Sequence, residues 1–594
     1  MELEHDRTSS SPCSKRPSTA SRERFSNDWN DEITGMTGLE PAPMPDSHHQ
    51  DRSLGREAVV TVDTRRPAGE VDNDIYGHFL ESAFFGNIEG GVFDEGSPLS
   101  IDEPGHLNGL RADVLELCRE LRPGAIRWPG GNFTSPYHWK DGIGPRDERP
   151  TRLELAWGEL ETNRFGTDEF LAWCEAVGAD PYLVHSARDV DEAVRWVEYT
   201  NSAQETTLTR HRAEYGRAEP WKVRYWGVGN EVYGRWQMGH RTAEEYAADA
   251  REHARFMRAV DADIKLIGVG LHRRQDWTQA VLARAGQFLD YISIHLYGAS
   301  THLWTGDDYD DVVAQALYFE QELSAYSQLV SDISAKVGLD RPPALTLDEW
   351  TMRHLEPADW PQPQPGEDGG IAPREMSEAN ESTDRLRVNR WSPRTIGDAV
   401  FCAGVFHAIH RTAGQPAPVA MANPVNLVNA NGLVVARSKG ALRSAIYHVW
   451  HLYRHHTGRT VLPCEVDGPA RSAMVKLGDE RDRDGQHITA PMAVMYVDVC
   501  ATRAGDGSVR LAVVNRHRDE TVRLRPVFDG AADATPGRAH VRRLGGDIAD
   551  LYAVNDLSTP DRIGVRDLGE VEAADGTWVI PPHSVTVLTM GGET

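Results

Sequence analysis

Two carboxylates follow strand-like runs in this chain, at positions where buried strands would end. Glu231 follows the run "VRYWGVGN", and Glu349 lies in "ALTLDEW" at 344–350. A carboxylate is costly to leave at the end of a buried strand unless it has partners or a chemical task. Two carboxyl groups about 5 Å apart can cleave a glycosidic bond with retention of configuration. One protonates the leaving oxygen while the other attacks the anomeric carbon, and the charge of the nucleophile is expected to keep its neighbour protonated.

Either carboxylate alone also fits a role without chemistry. A glutamate after a strand is more often a helix cap or a surface residue, and a second Asn-Glu pair, Asn380–Glu381, lies in a Pro-rich segment where no strand is expected. The interpretation as a catalytic pair therefore depends on where the surrounding strands place the two groups.

Eight apolar runs that alternate with charged, helix-like stretches supply those strands. This rhythm predicts an α/β fold, a (β/α)8 TIM barrel, in which side chains at the carboxyl ends of the strands form the site. Glu231 would end the fourth strand and Glu349 the seventh. The predicted strands are 75–81, 125–131, 181–187, 223–231, 265–270, 291–297, 344–350 and 419–427.

The rest of the chain divides into segments that differ in composition and in the pattern of apolar residues. Residues 1–55 lack periodicity and are predicted to be disordered. The alternating stretch 56–72 predicts a strand that joins a C-terminal domain, and 73–444 forms the barrel, with a Pro- and Glu-rich insertion at 353–395. From 445 to 594, alternating runs separated by turn residues predict an all-β domain, a jelly-roll β-sandwich.

Composition excludes several classes of partner. With 63 Lys and Arg against 90 Asp and Glu, the net charge is −27, which disfavours nucleic acid and anionic membranes. No apolar run has the length of a membrane span, and the first residues lack the apolar core of a secretory signal, so we expect a cytoplasmic protein. The six cysteines are scattered, which indicates reduced thiols. The scarcity of lysine fits either salt adaptation or GC-rich codon usage.

Seven motifs in order give the chain a resemblance to glycoside hydrolase family 51, the α-L-arabinofuranosidases, over about residues 58–594. This resemblance implies a retaining, exo-acting enzyme that removes arabinose from arabino-oligosaccharides and needs no metal or organic cofactor. It also implies a homo-oligomer, since hexamers are common in the family. The motifs are "IYGHFLE", "IRWPGGNF" with "YHWKDGIGP", "FGTDEFLAWC", "WGVGNE", "ISIHLYG", "TLDEW" and "MANPVNLVN".

The resemblance assigns the two carboxylates different roles. Glu231 matches the general acid/base of the family and Glu349 its nucleophile. Asn230 would hydrogen-bond the sugar 2-hydroxyl, while Arg127 and Asn132 would hold the nucleophile and the sugar. Arg127 also fits a plain ion-pair partner inside the barrel.

Four further residues complete the implied sugar site. Glu81 matches the position that binds the arabinose hydroxyls, and Tyr297 would hydrogen-bond the nucleophile with His295 beneath it. His295 equally fits a core histidine. Asn426 occupies the place of a sugar-binding Gln in the family. The tryptophans Trp128, Trp139 and Trp350 fit packing as well as sugar stacking.

Departures from the family pattern leave the sugar specificity open. The third strand ends in "HSARDVDEA" in place of a Gly-rich loop, and "VYGRWQMGH" after Glu231 is bulkier than the usual tail. A β-xylosidase, a galactofuranosidase or an endoglucanase-like enzyme therefore stays an alternative. A non-catalytic carbohydrate-binding relative is a further alternative, against which the presence of both carboxylates argues.

Overall fold

The first strand of the described residues belongs to the C-terminal domain. The computed structural model describes residues 56–302, 308–355, 392, 394–481, 486–529 and 537–591. The predicted disordered segment and residues 356–391 of the predicted insertion lie outside these ranges. Strand β1 (Arg56–Asp63) buries every second residue, and it is followed by the short β2 (Gly69–Glu70). The strand predicted over 56–72 is thus two strands in two different sheets.

Eight parallel strands form the barrel, and their order in the sheet follows their order in the chain. This confirms the predicted (β/α)8 fold. Most of these strands are short and buried on both faces, which explains why each appeared in the sequence as an apolar run. The barrel strands are β3 (His78–Phe79), β4 (Ala125–Trp128), β7 (Asp180–His185), β8 (Tyr225–Val228), β9 (Lys265–Gly268), β10 (Tyr291–His302), β11 (Ala344–Leu355) and β12 (Val419–Pro424), while β5 (Arg152–Leu153) and β6 (Leu160–Glu161) form a separate hairpin.

Helices connect the barrel strands on the outside. The fourth strand leads into a loop that carries Glu231 and ends at Thr242, whose hydroxyl caps the next helix by accepting from the Glu245 amide. The helices are α1 (Ala112–Leu121), α2 (Thr167–Val177), α3 (Val190–Asn201), α4 (Thr207–Glu214), α5 (Ala243–Val260), α6 (Gln275–Ala285), α7 (Asp308–Val337), α8 (Ile396–Arg411) and α9 (Ala445–His456).

Side-chain and backbone hydrogen bonds connect the last barrel strand to the first. The Asn423 amide donates to the carbonyls of His78 at 2.8 Å and Ala125 at 2.9 Å. Just beyond β12, the Leu427 amide donates to the Phe79 carbonyl at 3.0 Å. These bonds satisfy backbone groups that an open sheet edge would leave unpaired.

The C-terminal domain is a sandwich of two sheets. The strands after the barrel are β13 (Val434–Arg437), β14 (Gly440–Arg443), β15 (Thr460–Leu462), β16 (Cys464–Asp467), β17 (Ala470–Arg481), β18 (His487–Met495), β19 (Val497–Arg503), β20 (Val509–Asn515), β21 (Val522–Asp529), β22 (Arg538–Gly545), β23 (Val565–Glu572), β24 (Trp578–Ile580) and β25 (Ser584–Met590). A four-stranded sheet, in the order β16-β1-β21-β24, packs on a seven-stranded sheet, β2-β15-β19-β20-β25-β22-β23, around a core that includes Val60, Leu511 and Leu524.

One boundary in this region differs from the sequence-based expectation. The all-β domain was predicted to begin at residue 445, but its first strand after the barrel is β15. Residues Ala445–His456 form α9, the helix that follows the eighth barrel strand. Strand β1 pairs antiparallel with β16 but parallel with β21, so it is an antiparallel strand on one side only. Among the helices of the described ranges, none combines the length and apolarity that crossing a bilayer requires.

Candidate active site

The two carboxylates of the predicted pair lie together at the carboxyl ends of the barrel strands. Glu231 follows β8 by three residues, and Glu349 lies within β11. One oxygen of each and a ring nitrogen of His295 all lie within 4.8 Å of one another. This spacing fits a retaining glycosidase, whose carboxyl groups are about 5–5.5 Å apart, and it leaves no room for the extra water of an inverting enzyme.

Three neighbours fix the Glu349 carboxylate. The Tyr297 hydroxyl donates to Oε2 at 2.5 Å, and Nη2 of Arg127 lies 3.0 Å from Oε1. The third neighbour is backbone: a Cβ atom on Gly131 would lie 2.9 Å from Oε1, so any side chain at this position would displace the carboxylate. Glu349 is therefore held in one place, with an oxygen close to the loop after β4.

Arg127 connects the two strand ends that carry the carboxylates. Its guanidinium, which is buried, donates to the Asp348 carbonyl at 2.8 Å and to Oδ1 of Asn230 at 2.5 Å. Burial opposes its charge, but the Glu349 and Asp348 carboxylates outweigh burial and raise the pKa of Arg127 above its ordinary value. A permanent cation therefore lies beside Glu349.

The side chain of Asn230 presents its amide nitrogen toward the space around Gly131. Its oxygen accepts from Arg127, which orients the group, and its Nδ2 is buried with no hydrogen-bond partner among the described residues. A Cβ on Gly131 would lie 3.7 Å from this nitrogen. Asn132 opens the turn Asn132–Thr134 beside it, and the described hydrogen bonds do not link its side chain to Glu349. Asn230 thus offers a donor that a sugar oxygen would satisfy.

Glu231 accepts hydrogen bonds from three side chains. Tyr233 donates to Oε1 at 3.2 Å and Nε1 of Trp236 donates to Oε2 at 3.1 Å, while Nδ1 of His295 lies 2.8 Å from Oε1. The backbone of Glu231 has a φ of 42°, which is uncommon for a residue with a side chain. This conformation turns the carboxyl group from the strand end into the site.

Nδ1 of His295 and Oε1 of Glu231 lie 2.8 Å apart, and the directions of their pKa shifts favour an ion pair, contrary to the expectation that Glu231 rests protonated. Burial alone would raise the pKa of Glu231, but the hydrogen bond and charge of His295 lower it to about 2. Burial likewise opposes the charge of His295, but Glu349 and the hydrogen bonds to Asp348 and Glu231 raise its pKa to about 10. The sequence argument considered the repulsion by Glu349 and missed the closer cation.

His295 also shows why this cluster is a poor metal site. Its Nδ1 faces Glu231, and its Nε2 lies 3.5 Å from Oδ1 of Asp348. A protonated imidazole has no lone pair for a metal ion, and Arg127 already places a positive charge at Glu349. Glu231, His295 and Glu349 have donor types that bind metals, but each already has a partner in the site: His295 lies 2.8 Å from Glu231, and Tyr297 and Arg127 contact the two oxygens of Glu349.

Glu81 lies on the other side of Gly131 with one oxygen fully engaged. Oε1 accepts from the backbone amides of Gly131 at 3.1 Å and Phe133 at 3.0 Å, and from Nε1 of Trp157 at 3.0 Å. Burial, assisted by repulsion from Glu349, raises the pKa of Glu81 to about 8. This shift favours a protonated Glu81 near neutral pH, in which form its second oxygen would donate to a sugar.

Asn426 is buried beside the first barrel strand, with its amide nitrogen already engaged. Nδ2 donates to the Ala430 carbonyl at 3.1 Å, and Oδ1 has no partner among the described residues. The oxygen and the second N–H of the Nδ2 group are therefore left for the predicted sugar contact.

Aromatic residues near the carboxylates are not the ones that the sequence singled out. Trp128, Trp139 and Trp350 are fully buried, which settles them as packing residues. The indoles that touch acidic groups of the site are those of Trp157 and Trp236. The bulky segment after Glu231 was the available signal for Trp236, whereas Trp157 lies on the β5–β6 hairpin without any motif.

Two polar side chains of the site were also missed. The Tyr182 hydroxyl donates to Oδ2 of Asp348 at 2.8 Å, from inside the barrel. The Arg353 guanidinium lies 3.7 Å from the centre of the Tyr297 ring, which makes it a cation over an aromatic face. Neither has a local sequence signal, because their contacts join different barrel strands.

Comparison with known proteins gives a consistent result. Residues 117–314 match the family model of the α-L-arabinofuranosidase 1 domain, and 376–584 match that of the α-L-arabinofuranosidase C-terminal domain. The chain is 31% identical to α-L-arabinofuranosidase C of Emericella nidulans, over 89% of this chain and 96% of that protein. It is 32% identical to an intracellular exo-α-(1→5)-L-arabinofuranosidase of Streptomyces lividans, over 88% of this chain and 73% of that protein.

A solved structure shares the whole arrangement of domains. The α-L-arabinofuranosidase of Thermotoga maritima in complex with arabinose superposes with a TM-score of 0.75 at 30% identity, covering 90% of this chain and 100% of that one. The family 51 enzyme of Thermotoga petrophila gives a TM-score of 0.74 at 31% identity, with the same coverage.

Proposed function

The chain belongs to the α-L-arabinofuranosidases of glycoside hydrolase family 51, and we propose that it releases terminal α-L-arabinofuranosyl residues from arabino-oligosaccharides by double displacement. The observation that carries the mechanism is the spacing of Glu231 and Glu349, with one oxygen of each within 4.8 Å. Exo action is supported by the name of the Streptomyces lividans relative.

Glu349 is the nucleophile in this proposal. It attacks the anomeric carbon and forms a glycosyl ester as the bond to the leaving oxygen breaks. Arg127 and Tyr297 hold its two oxygens, so the attacking atom needs no reorientation. Asn230 presents a donor for the sugar 2-hydroxyl, and Glu81 donates from its second oxygen to another hydroxyl.

Glu231 is the general acid and then the general base. In the resting site the proton lies on His295, 2.8 Å from Glu231, and it must move to Glu231 before the leaving oxygen can take it. In the second step Glu231 accepts a proton from the attacking water. His295 is thus a positioning residue that also stores the proton.

Two experiments test the assignment. A fluorinated or cyclophellitol-type arabinofuranoside should label a peptide that contains Glu349, and Glu349→Gln should lower kcat by at least ~10⁴-fold. Label on the neighbouring Asp348 instead would overturn the nucleophile.

Glu231→Ala is tested on substrates with good and poor leaving groups. It should lose activity on oligosaccharides but still cleave an activated aryl arabinofuranoside, with azide restoring turnover as a retained glycosyl azide. An inverted azide, or equal losses on both substrates, would contradict the acid/base role. A panel of furanosides and pyranosides separates arabinofuranosidase activity from β-xylosidase, galactofuranosidase and endoglucanase-like activity.

A cytoplasmic homo-oligomer is part of the same proposal. The Streptomyces lividans relative is named intracellular, and the location proposed here follows that name. Cell fractionation tests the location, and light scattering of the purified chain tests for a hexamer.

A further inference from the structure

The loop after β8 holds the acid/base in a backbone conformation that residues with a side chain rarely adopt. Glu231 has a φ of 42°, and a residue in this left-handed region persists only where the surrounding structure fixes it. Backbone hydrogen bonds close the loop on itself, from the Gly234 amide to the Glu231 carbonyl and from the Arg241 amide to the Val232 carbonyl, each at 2.7 Å. These bonds give the loop its shape, but its position relative to the nucleophile also needs contacts outside the loop.

Gln237 makes such a contact from the middle of the loop. Its side chain is buried, whereas the neighbouring Arg235 and Trp236 are exposed. Nε2 of Gln237 donates to the hydroxyl oxygen of Ser135 at 2.5 Å, between residues that are 102 positions apart in the chain. Burying a glutamine amide costs hydration and side-chain freedom, and Oε1 of Gln237 has no partner among the described residues. Since an aliphatic side chain would be buried here at lower cost, the amide calls for a role that depends on its hydrogen bond.

Ser135 belongs to the loop after β4, which faces the nucleophile. It is buried and directly follows the turn Asn132–Thr134. Gly131 of the same loop lies so close to Glu349 that a Cβ atom there would be 2.9 Å from Oε1 of the carboxylate. The hydrogen bond from Gln237 to Ser135 therefore joins the loop that carries the acid/base to the loop that touches the nucleophile.

We propose that Gln237 is a positioning residue for the acid/base, and that its hydrogen bond to Ser135 sets the distance and angle at which Glu231 meets the leaving oxygen. Among the hydrogen bonds of the described residues, none joins the Gln237 amide to a carboxyl group of the site, so its effect on the reaction passes through the loop to Glu231. The inference rests on the proposed function, because it needs Glu231 as acid/base and Glu349 as nucleophile.

Loss of this hydrogen bond should affect substrates according to their leaving groups. A shifted loop moves Glu231 away from the leaving oxygen, whereas Arg127 and Tyr297 still hold Glu349. A sugar leaving group must take a proton as its bond to the anomeric carbon breaks, but a dinitrophenolate departs as an anion. Because kcat/KM reports only the steps up to the glycosyl ester, the later use of Glu231 as a base does not enter the comparison.

The experiment measures kcat/KM of the full chain for an arabinobiose and for a dinitrophenyl arabinofuranoside. Gln237→Met keeps a side chain of similar length without the amide, and Ser135→Ala removes the hydroxyl group. Each variant should lower kcat/KM for the disaccharide roughly 10- to 100-fold and keep that for the aryl substrate within about twofold of wild type. The double variant should be no slower than the slower single variant, since both changes remove the same bond. If one single variant does not fold, the other decides the question.

Gln415→Met is the matched control. Gln415 also donates from Nε2 to a serine hydroxyl, that of Ser324 at 3.1 Å, but it precedes β12 and so lies at the end of the barrel opposite the carboxylates. This variant should behave as wild type on both substrates. Equal losses on the two substrates in Gln237→Met or Ser135→Ala, no loss on either, or losses that multiply in the double variant would overturn the positioning role while leaving the hydrolase intact. Equal losses on the two substrates in Glu231→Ala, measured alongside, would instead overturn the acid/base assignment of the proposed function.

Discussion

Replacing His295 with glutamine removes the charged partner that lies 2.8 Å from Glu231 while keeping a side chain that can hydrogen-bond. The neighbouring carboxylates raise the pKa of His295, so we expect the two groups to hold one proton in the wild-type enzyme until the pH rises through that raised pKa. The basic limb of the pH profile therefore belongs to the pair. In His295→Gln the proton can reside only on Glu231, which is buried and close to Glu349.

The magnitude follows from a carboxyl group in the same site. Glu81 is buried and repelled by Glu349 but lacks a paired cation, and its pKa is about 8. If Glu231 without His295 titrates similarly, the basic limb should fall by about two pH units. One pH unit corresponds to a tenfold change, or about 1.4 kcal/mol. At pH values above the basic limbs of both enzymes, kcat/KM of the variant should therefore be about 100-fold lower than that of the wild-type enzyme.

The assay measures kcat/KM against pH for an arabinobiose, whose leaving group needs protonation. A dinitrophenyl arabinofuranoside is the control, since its leaving group departs without an acid and its basic limb should be the same in both enzymes. A variant whose basic limb on the disaccharide stays at the wild-type position would refute the shared proton. A downward shift on both substrates would place the effect on another group.

Four further substitutions test the surroundings of the pair. If the raised pKa of Glu81, about 8, governs sugar binding, KM of the wild-type enzyme should rise above pH 8, whereas KM of Glu81→Gln should match wild type near pH 6 and stay constant above pH 8. Equal profiles would contradict a protonated Glu81. Burial opposes the charge of Asp348, but Arg127 and His295 lower the pKa of this carboxyl group, so Asp348→Asn should lower the free energy of unfolding by about 3 kcal/mol in denaturant. Tyr182→Phe removes only the hydroxyl that donates to Asp348 and should lower it by about 1 kcal/mol. Equal losses in the two variants would show that the hydrogen bond from Tyr182 accounts for the whole effect. Asn426→Gln should destabilise by about 1–3 kcal/mol through overpacking, and a better KM with full stability would instead place its amide in the sugar site.

The ion pair also predicts how stability depends on pH. The lowered pKa of Glu231 contributes stability that is present above 4.5 and is lost as the pH falls toward 2. The raised pKa of His295 contributes stability that is present below 6.5 and is lost as the pH rises toward 10. Both contributions are fully present between pH 4.5 and pH 6.5. The difference in unfolding free energy between the wild-type enzyme and His295→Gln should therefore be largest in that range.

The sequence predicted the barrel because each strand carries its own local signal. Strands buried on both faces appear as short apolar runs, and the side chains at their ends must converge in a closed barrel. This is why Glu231, Glu349, Arg127 and Tyr297 were found together. The sequence predicted one strand over 56–72 because apolar and polar residues alternate through this whole stretch. The break between β1 and β2 arises because the two strands pair in different sheets, which the sequence pattern does not show.

The electrostatics of the site could not be predicted in the same way. The sign of the pKa shift of Glu231 depends on its neighbours in space, since the hydrogen bond and charge of His295, whose ring nitrogen lies 2.8 Å away, outweigh the effect of burial. Trp157 was equally hidden, because its contact with Glu81 spans 76 positions in the chain. Spacing along the sequence carries no information about such distances.

The charges in the site indicate why the proton is kept on His295. Arg127 and protonated His295 face the carboxylates of Asp348, Glu349 and Glu231, while Glu81 is neutral near pH 7, so the buried site is close to balanced. Moving one proton from His295 to Glu231 converts the resting pair into a neutral acid and a neutral imidazole without changing the total charge. A leaving group that displaces water from Glu231 favours this transfer, because a neutral pair is easier to desolvate than an ion pair. Activation of the acid therefore needs no proton from solvent, and it is coupled to occupation of the site.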